Sequence, residues 1–327
     1  MSCRLRRAAV STAILLAIAL NVPSASHAAD WPTRPVRVVI PFGAGSATDV
    51  IPRIVFDQVS HELGQQVVIE NRGGAGGTIG EGAVAKADPD GYMFLTTSSA
   101  HTIAPALYSK LSYSPTDDFA TVAAIGSVPN VLIVAPSRGL KTIQDFVKEA
   151  KANPGKLTFA SLGIGSAVHM SAERFRFSAG YEALHVPFKG GAEALNEVIA
   201  GRVDYYFCPI ATALPHIQAG KLLALAVSSP TRAPQLPDVP TTLEAGFANS
   251  DYTFWIGAFA PAKTDPAVIE KFRAAIAKAL ADPAVKAKLD AIGAQAATLS
   301  GEAFDKQVKG EFATYSDFAA RTGMKIN

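Results

Sequence analysis

The chain has 327 residues, 49% of them apolar and 18% charged, with a formal net charge of +2. Its 30 basic and 28 acidic side chains leave no basic block of the kind that grips nucleic acid or an anionic membrane surface. Two cysteines in such a length exclude a disulfide-built scaffold, so stability must come from a buried core.

The N-terminus reads as a cleaved secretory signal. Arg4, Arg6 and Arg7 precede an apolar stretch over Ala8 to Leu20, and Ser26-His27-Ala28 supplies small residues at a cleavage site. The stretch is short for a membrane span, and Cys3 lies before it, where no lipid-anchoring cleavage takes place. Residues 1–28 hold three arginines and no acid, so the mature chain carries 27 basic against 28 acidic side chains. It is expected to work in the periplasm after cleavage near Ala28, nearly neutral and with Cys208 as its one thiol.

Beyond the signal, short β-rich runs alternate with helical periods. Strands are expected at Val36–Ile40, Val67–Glu70 and Phe94–Thr97, with helices at Thr48–Leu63 and Gly76–Ala87 between them. A second series follows, with strands at Val131–Val134, Leu157–Ala160, His185–Pro187, Val203–Phe207 and Leu222–Val227. Its helices are expected at Thr142–Ala152, Ser166–Ala179, near Ala192–Ala200 and at Ala211–Ala219. Such alternation specifies parallel sheets covered by helices, and two series specify two α/β lobes. Val122–Ser137 and Asp251–Lys263 are longer than ordinary strands, and each is expected to run through both lobes. Helical periods at Pro266–Leu280, Pro283–Ile292 and Glu302–Ala320 then pack back on the first lobe. The boundaries that follow are 29–129 with 253–327 for lobe 1, and 130–252 for lobe 2.

Two glycine turns carry the functional signal. "IPFGAGSATDV" and "ASLGIGSAVHM" each follow a strand and open a helix. Neither has the third glycine of a dinucleotide fingerprint, and no Walker lysine follows any glycine loop. A nucleophile elbow is missing, and His61, His101, His169, His185 and His216 are scattered without metal-ligand spacing. What remains is anion binding. Free N–H groups at a helix N-terminus, with the positive end of the helix dipole, hold a carboxylate without a basic side chain. Asp49 in the first helical turn would repel that anion, so it is expected to point away and organise the loop. One such helix end per lobe, facing a cleft, suits a dicarboxylate.

The same turns, with "PTRPVRVVIPFGAGSATDV", "VIENRGGAGGTIG", "VAKADPDGY", "VPFKGGAEAL", "ALPHIQAGKLLALAV" and "LPDVPTTLEAG", resemble the substrate-binding proteins of tripartite tricarboxylate transporters, the Bug family. The resemblance implies a two-lobed α/β binding protein of type II topology, its ligand cleft between the lobes. It implies a periplasmic monomer that is no enzyme, uses no cofactor or metal, and passes a small carboxylate to membrane permease subunits. By the same resemblance Ser46, Ala47 and Thr48 bind ligand from the first lobe and Ser166, Ala167 and His169 from the second. The resemblance also implies a third loop at the cleft from Ser98, Ser99 and His101, with a capped helix start as the alternative for Ser99 and His101. Two departures stand out. Ser46 replaces a further glycine of the common pattern, and Cys208-Pro209 replaces a polar pair. Phe207, Cys208 and Pro209 are therefore expected either to form an apolar wall that disfavours amino acids and favours a flat or aliphatic spacer, as in terephthalate, or, for Phe207 and Cys208, to be core residues at the end of a buried strand. Citrate-like and aliphatic acids stay open, as does a sensor that signals to a membrane kinase; a secreted hydrolase is the remote alternative.

Overall fold

A computed structural model describes residues 31–324, so the expected signal peptide lies outside the described residues. Strand β1 (Val36–Ile40) leads through the first glycine turn into α1 (Ala47–Leu63), and β2 (Val67–Asn71) follows. A single 3-10 turn at Ala75–Gly77 precedes α2 (Thr78–Ala85), so the helix expected from Gly76 starts two residues later. Then come β3 (Met93–Ser98), α3 (Ala100–Leu107) and the long β4 (Phe119–Val134). The next series is α4 (Ile143–Ala152), β5 (Thr158–Ser161), α5 (Ala167–Ala179), β6 (Leu184–Pro187), α6 (Gly191–Ile199), β7 (Tyr205–Pro209), α7 (Ile210–Gln218) and β8 (Leu223–Val227). The chain closes with β9 (Thr253–Pro261), α8 (Pro266–Ala281), α9 (Pro283–Ala291), β10 (Gln295–Ala296) and α10 (Gly301–Thr322). Among the described residues no helix is long and apolar enough to cross a membrane.

The strands form one curled sheet in the order β2-β1-β3-β9-β4-β7-β5-β6, with β8 and β10 attached to β4. β1 pairs in parallel with β2 and β3, and β5 in parallel with β6 and β7, as helix-covered crossovers require. The two lobes are joined through β4. Residues 119–129 pair with β9, and residues 130–134 pair with β7 and β8. β9 itself pairs only with β3 and β4 in the first lobe, and the chain returns from the second lobe through 250–252. The segment Asp251–Lys263 thus makes the second passage, with Asp251 and Tyr252 bonded to Arg174 and Ser228 in the second lobe and β9 paired in the first.

Along the inner strands Val36, Val38, Phe94, Val131, Ile133 and Ile256 are fully covered. In the first lobe Trp31, Phe56, Phe94 and Phe272 meet ring to ring, with Phe94 and Phe272 4.2 Å apart. In the second, Phe146, Phe175, Tyr181 and Tyr205 do the same. Rigid cores of this kind hold the strand ends, and hence the glycine turns, in place.

Candidate functional site

The first turn is built around a buried carboxylate. Asp49 accepts from the Gly45 N–H at 2.9 Å, from Arg53 Nε at 2.9 Å and from the Asn71 amide at 2.9 Å. Burial alone would raise its pKa, but the bonds from Arg53, Gly45 and Asn71 outweigh that and lower it. Its charge is therefore neutralised within the loop, where it fixes the turn. Gly45 takes φ +78°, a region a side chain would resist. Ser46 then stands at the N-cap of α1 with an extended backbone. Its hydroxyl makes no cap bond and no other hydrogen bond, although the residue is only 2% exposed. The N–H groups of Asp49 and Val50 both donate to the Ser46 carbonyl, while those of Ala47 and Thr48 find no acceptor among the described residues.

The second turn has the same outline and different bonds. Gly165 takes φ +84° and Ser166 is the N-cap of α5. Here the hydroxyl is engaged, accepting from the His169 N–H at 3.4 Å and donating to the Gly163 carbonyl at 2.7 Å. His169 Nδ1 accepts from the Gly165 N–H at 3.4 Å, which leaves the ring proton on Nε2 as a donor. Behind it lies His185, ring centroid 4.5 Å away, whose Nε2 meets the Ser161 hydroxyl at 2.5 Å. Burial, with the neighbouring His185 and Arg176, pulls His169 down to about 3, and burial pulls His185 down to about 4. Both rings are neutral at ordinary pH. Neither turn contains a lysine or arginine.

The two turns face one another across a closed cleft. Tyr108 donates its hydroxyl to the Ile164 carbonyl at 3.1 Å, from first lobe to second. A Cβ added at Gly43 would lie 3.2 Å from the Lys189 carbonyl oxygen, and one at Gly191 3.9 Å from the Ser46 Cα. Ser46, Ala47, Thr48, Ser166, Ala167 and His169 are all buried in this arrangement.

The other expected site residues have different surroundings. His101 turns into the first lobe, where Nδ1 meets Glu81 Oε2 at 2.9 Å beside bonds from Thr97 and Tyr113 to the same carboxylate. Its ring packs on Phe119 and Phe259. His101 is therefore a core residue, because a buried carboxylate beneath α3 needs its donors there. Ser98 accepts from the Ala100 N–H, and Ser99 bonds the Tyr252 hydroxyl at 2.5 Å. The stretch read as a third loop is mostly helix α3. Phe207 and Cys208 cannot share a wall, because successive strand residues point to opposite faces. The Phe207 ring lies in the second-lobe core, 5.3 Å from that of Phe175. Cys208 faces the other side with its sulfur 3.1 Å from the Thr212 hydroxyl, and burial pushes its thiol up to about 12. Pro209 ends β7 as the residue before α7. Among the described residues no group of three acidic, cysteine or histidine side chains is placed to hold a metal ion.

Two α/β lobes on one curled sheet, closing paired helix N-termini over a cleft, define a periplasmic solute-binding protein. Residues 51–318 match the model of the tripartite tricarboxylate transporter family receptor, and the chain belongs to that family of receptors, which are not enzymes. It is 38% identical over 292 residues to a protein encoded in the tcbD-tcbE intergenic region of Pseudomonas sp. strain P51, covering 89% of this chain and 87% of that one. Against BugT of Bordetella pertussis it is 34% identical over 294 residues, covering 88% and 89%. Among solved structures, R. palustris Rpa4515 with adipate superposes with a TM-score of 0.86 at 32% identity, covering 90% of this chain and 100% of that one. MatC of Rhodopseudomonas palustris with bound malate gives 0.84 at 32% identity, covering 88% and 99%.

Proposed function

We propose that this receptor captures an amine-free dicarboxylate between its lobes and delivers it, as a monomer in the periplasm, to the membrane permease subunits of a tripartite tricarboxylate transporter. The mature chain begins after Ala28, and the lobes comprise 29–129 with 253–327 and 130–252. The observation that carries the reading is the pair of opposed helix starts. α1 offers the free Ala47 and Thr48 N–H groups and the unpaired Ser46 hydroxyl, and α5 offers the His169 Nε2–H. Each can hold one carboxylate. Two similar proteins carry adipate and malate, both dicarboxylates without an amine. Because Phe207 belongs to the core, the case for a flat aromatic spacer loses a support, and aliphatic diacids lead.

A thermal-shift and titration panel of terephthalate, adipate, malate, citrate and glutamate tests the proposal. A true ligand at 100 times its dissociation constant should stabilise the protein by about 2.7 kcal/mol. Silence across all five would end the carboxylate reading. Glutamate as the tightest of them would remove the restriction to amine-free acids.

A further inference from the structure

One polar side chain is buried without a partner where the two lobes join. Asn130 is fully covered, and neither its amide nitrogen nor its amide oxygen has a hydrogen-bond partner among the described residues. Its main chain is fully engaged, the N–H donating to the Ser228 hydroxyl and the carbonyl accepting from the Ser228 N–H. Native interiors rarely leave either end of a carboxamide unpaired, and here both are. In the sequence, Asn130 is an isolated carboxamide inside the apolar run "VPNVLIV".

Its backbone stands at the edge of the sheet from which the second glycine turn is released. β4 pairs with β9 as far as Pro129 and with β7 from Asn130 onward. Asn130 lies opposite Pro209 in register, so the two share a face, at the edge where β7 gives way to α7. β5 runs parallel to β7 and releases the Gly163–Ser166 turn from that same edge. Ligands of open α/β sheets bind outside this edge.

We infer that Asn130 is a specificity-determining residue that reads a hydroxyl group beside a carboxylate of the ligand, which makes hydroxy-dicarboxylates the favoured class. This rests on the carboxylate-binding reading above. A carboxamide offers two donors and one acceptor side by side. The amide N–H donates to a carboxylate oxygen, and Oδ1 accepts the proton of the neighbouring hydroxyl. A plain methylene leaves the acceptor unpaired in a buried site. The rival account is internal: the hydroxyls of Ser171 and Thr242 are also buried and unpaired, and solvent could bridge them to Asn130.

Malate and succinate share a four-carbon diacid backbone and differ by one hydroxyl, so their affinities isolate the effect. Calorimetric titration of the wild type should favour malate by roughly tenfold, as expected for one buried hydrogen bond. Asn130→Leu, which keeps the volume and removes both polar ends, should collapse that preference while succinate still binds. Asn130→Asp keeps the shape but sets a charge against the ligand, and should weaken both diacids by more than about tenfold. Melting temperatures are read alongside. A wild type that binds the two acids equally would overturn the inference while leaving carboxylate capture intact. So would a lowered melting temperature in Asn130→Leu with the malate preference unchanged, or unaltered affinities in Asn130→Asp. A wild type that binds no member of the carboxylate panel would overturn both readings together.

Discussion

The two glycine turns that face each other across the cleft are written in almost the same letters, GAGSATD and GIGSAVH, yet they distribute their hydrogen bonds differently. In the first, Asp49 braces the loop from inside the helix, so the Ser46 hydroxyl is left free. In the second, a histidine stands where Asp49 does, and Ser166 itself braces the loop by capping α5. Each turn thus has one structural group and one group available to an anion, but the roles are exchanged. The side chain three residues beyond the serine decides which. An aspartate can brace but repels an anion; a neutral histidine accepts one loop bond and still has an N–H to give.

That contrast predicts different responses to acid, and this effect should be the largest. The unfolded chain protonates histidine near pH 6.5, whereas folded His169 and His185 resist protonation down to about 3 and about 4. Between pH 6.5 and 4 the unfolded state therefore binds more protons, and stability falls as pH falls. The slope should reach about 1.4 kcal/mol per pH unit for each ring. Asp49, with its lowered pKa, loses its bonds only below the ordinary carboxylate range. Urea unfolding from pH 7.5 to 4.5 should show the slope, and His169→Asn with His185→Gln should flatten it. Hydrogen exchange at pH 5 should loosen the first turn of α5 before that of α1. Equal loosening at both would break the comparison.

Next in size are the first-lobe hydroxyls. Ser46→Ala should weaken dicarboxylate binding by roughly 1.5–3 kcal/mol, the range for hydrogen bonds to a charged group, whereas Thr48→Ala keeps the offered N–H and should weaken it less. Because the Ser46 hydroxyl caps nothing, the folding stability of Ser46→Ala should stay near that of the wild type. Calorimetry and denaturant midpoints separate the two effects. The smallest change belongs to Ser166→Ala. Loss of its cap should cost about 1 kcal/mol of folding stability. Its affinity should change less than that of Ser46→Ala, and the reverse order would show that the two serines do the same work.

Much of the fold was legible because its elements are long and strongly patterned. β1 matches the expected Val36–Ile40, and α1, α5 and α8 begin within a residue of expectation. α3 is left open by "TTSSAHTIAP", which reads equally as a loop or as a capped helix start; its packing against α10 decides for the helix. β10, two residues long, has no pattern to detect, since only its pairing to β4 makes it a strand. At the candidate site, the paired turns were visible because glycine, serine and a helix start are adjacent in sequence. The placements of Phe207 and His101 depend on groups distant along the chain: Phe175 for one, Glu81 and Phe259 for the other. Asn130 carried a signal, a polar residue within an apolar run, but its register opposite Pro209 is a property of the folded sheet.

The backbone contacts between the lobes bear on how long a captured solute stays. Gly76 meets the Ile164 carbonyl and Gly43 the Lys189 carbonyl so closely that a methyl group at Gly76 would collide and one at Gly43 would press at 3.2 Å. At these two points main chain touches main chain, so no side chain acts as a wedge between them. Residence time then depends on the bonds across the seam, such as Tyr108 to Ile164, together with those to the solute. The seam thus lengthens the stay of every cargo alike, on top of whatever each one's own bonds supply.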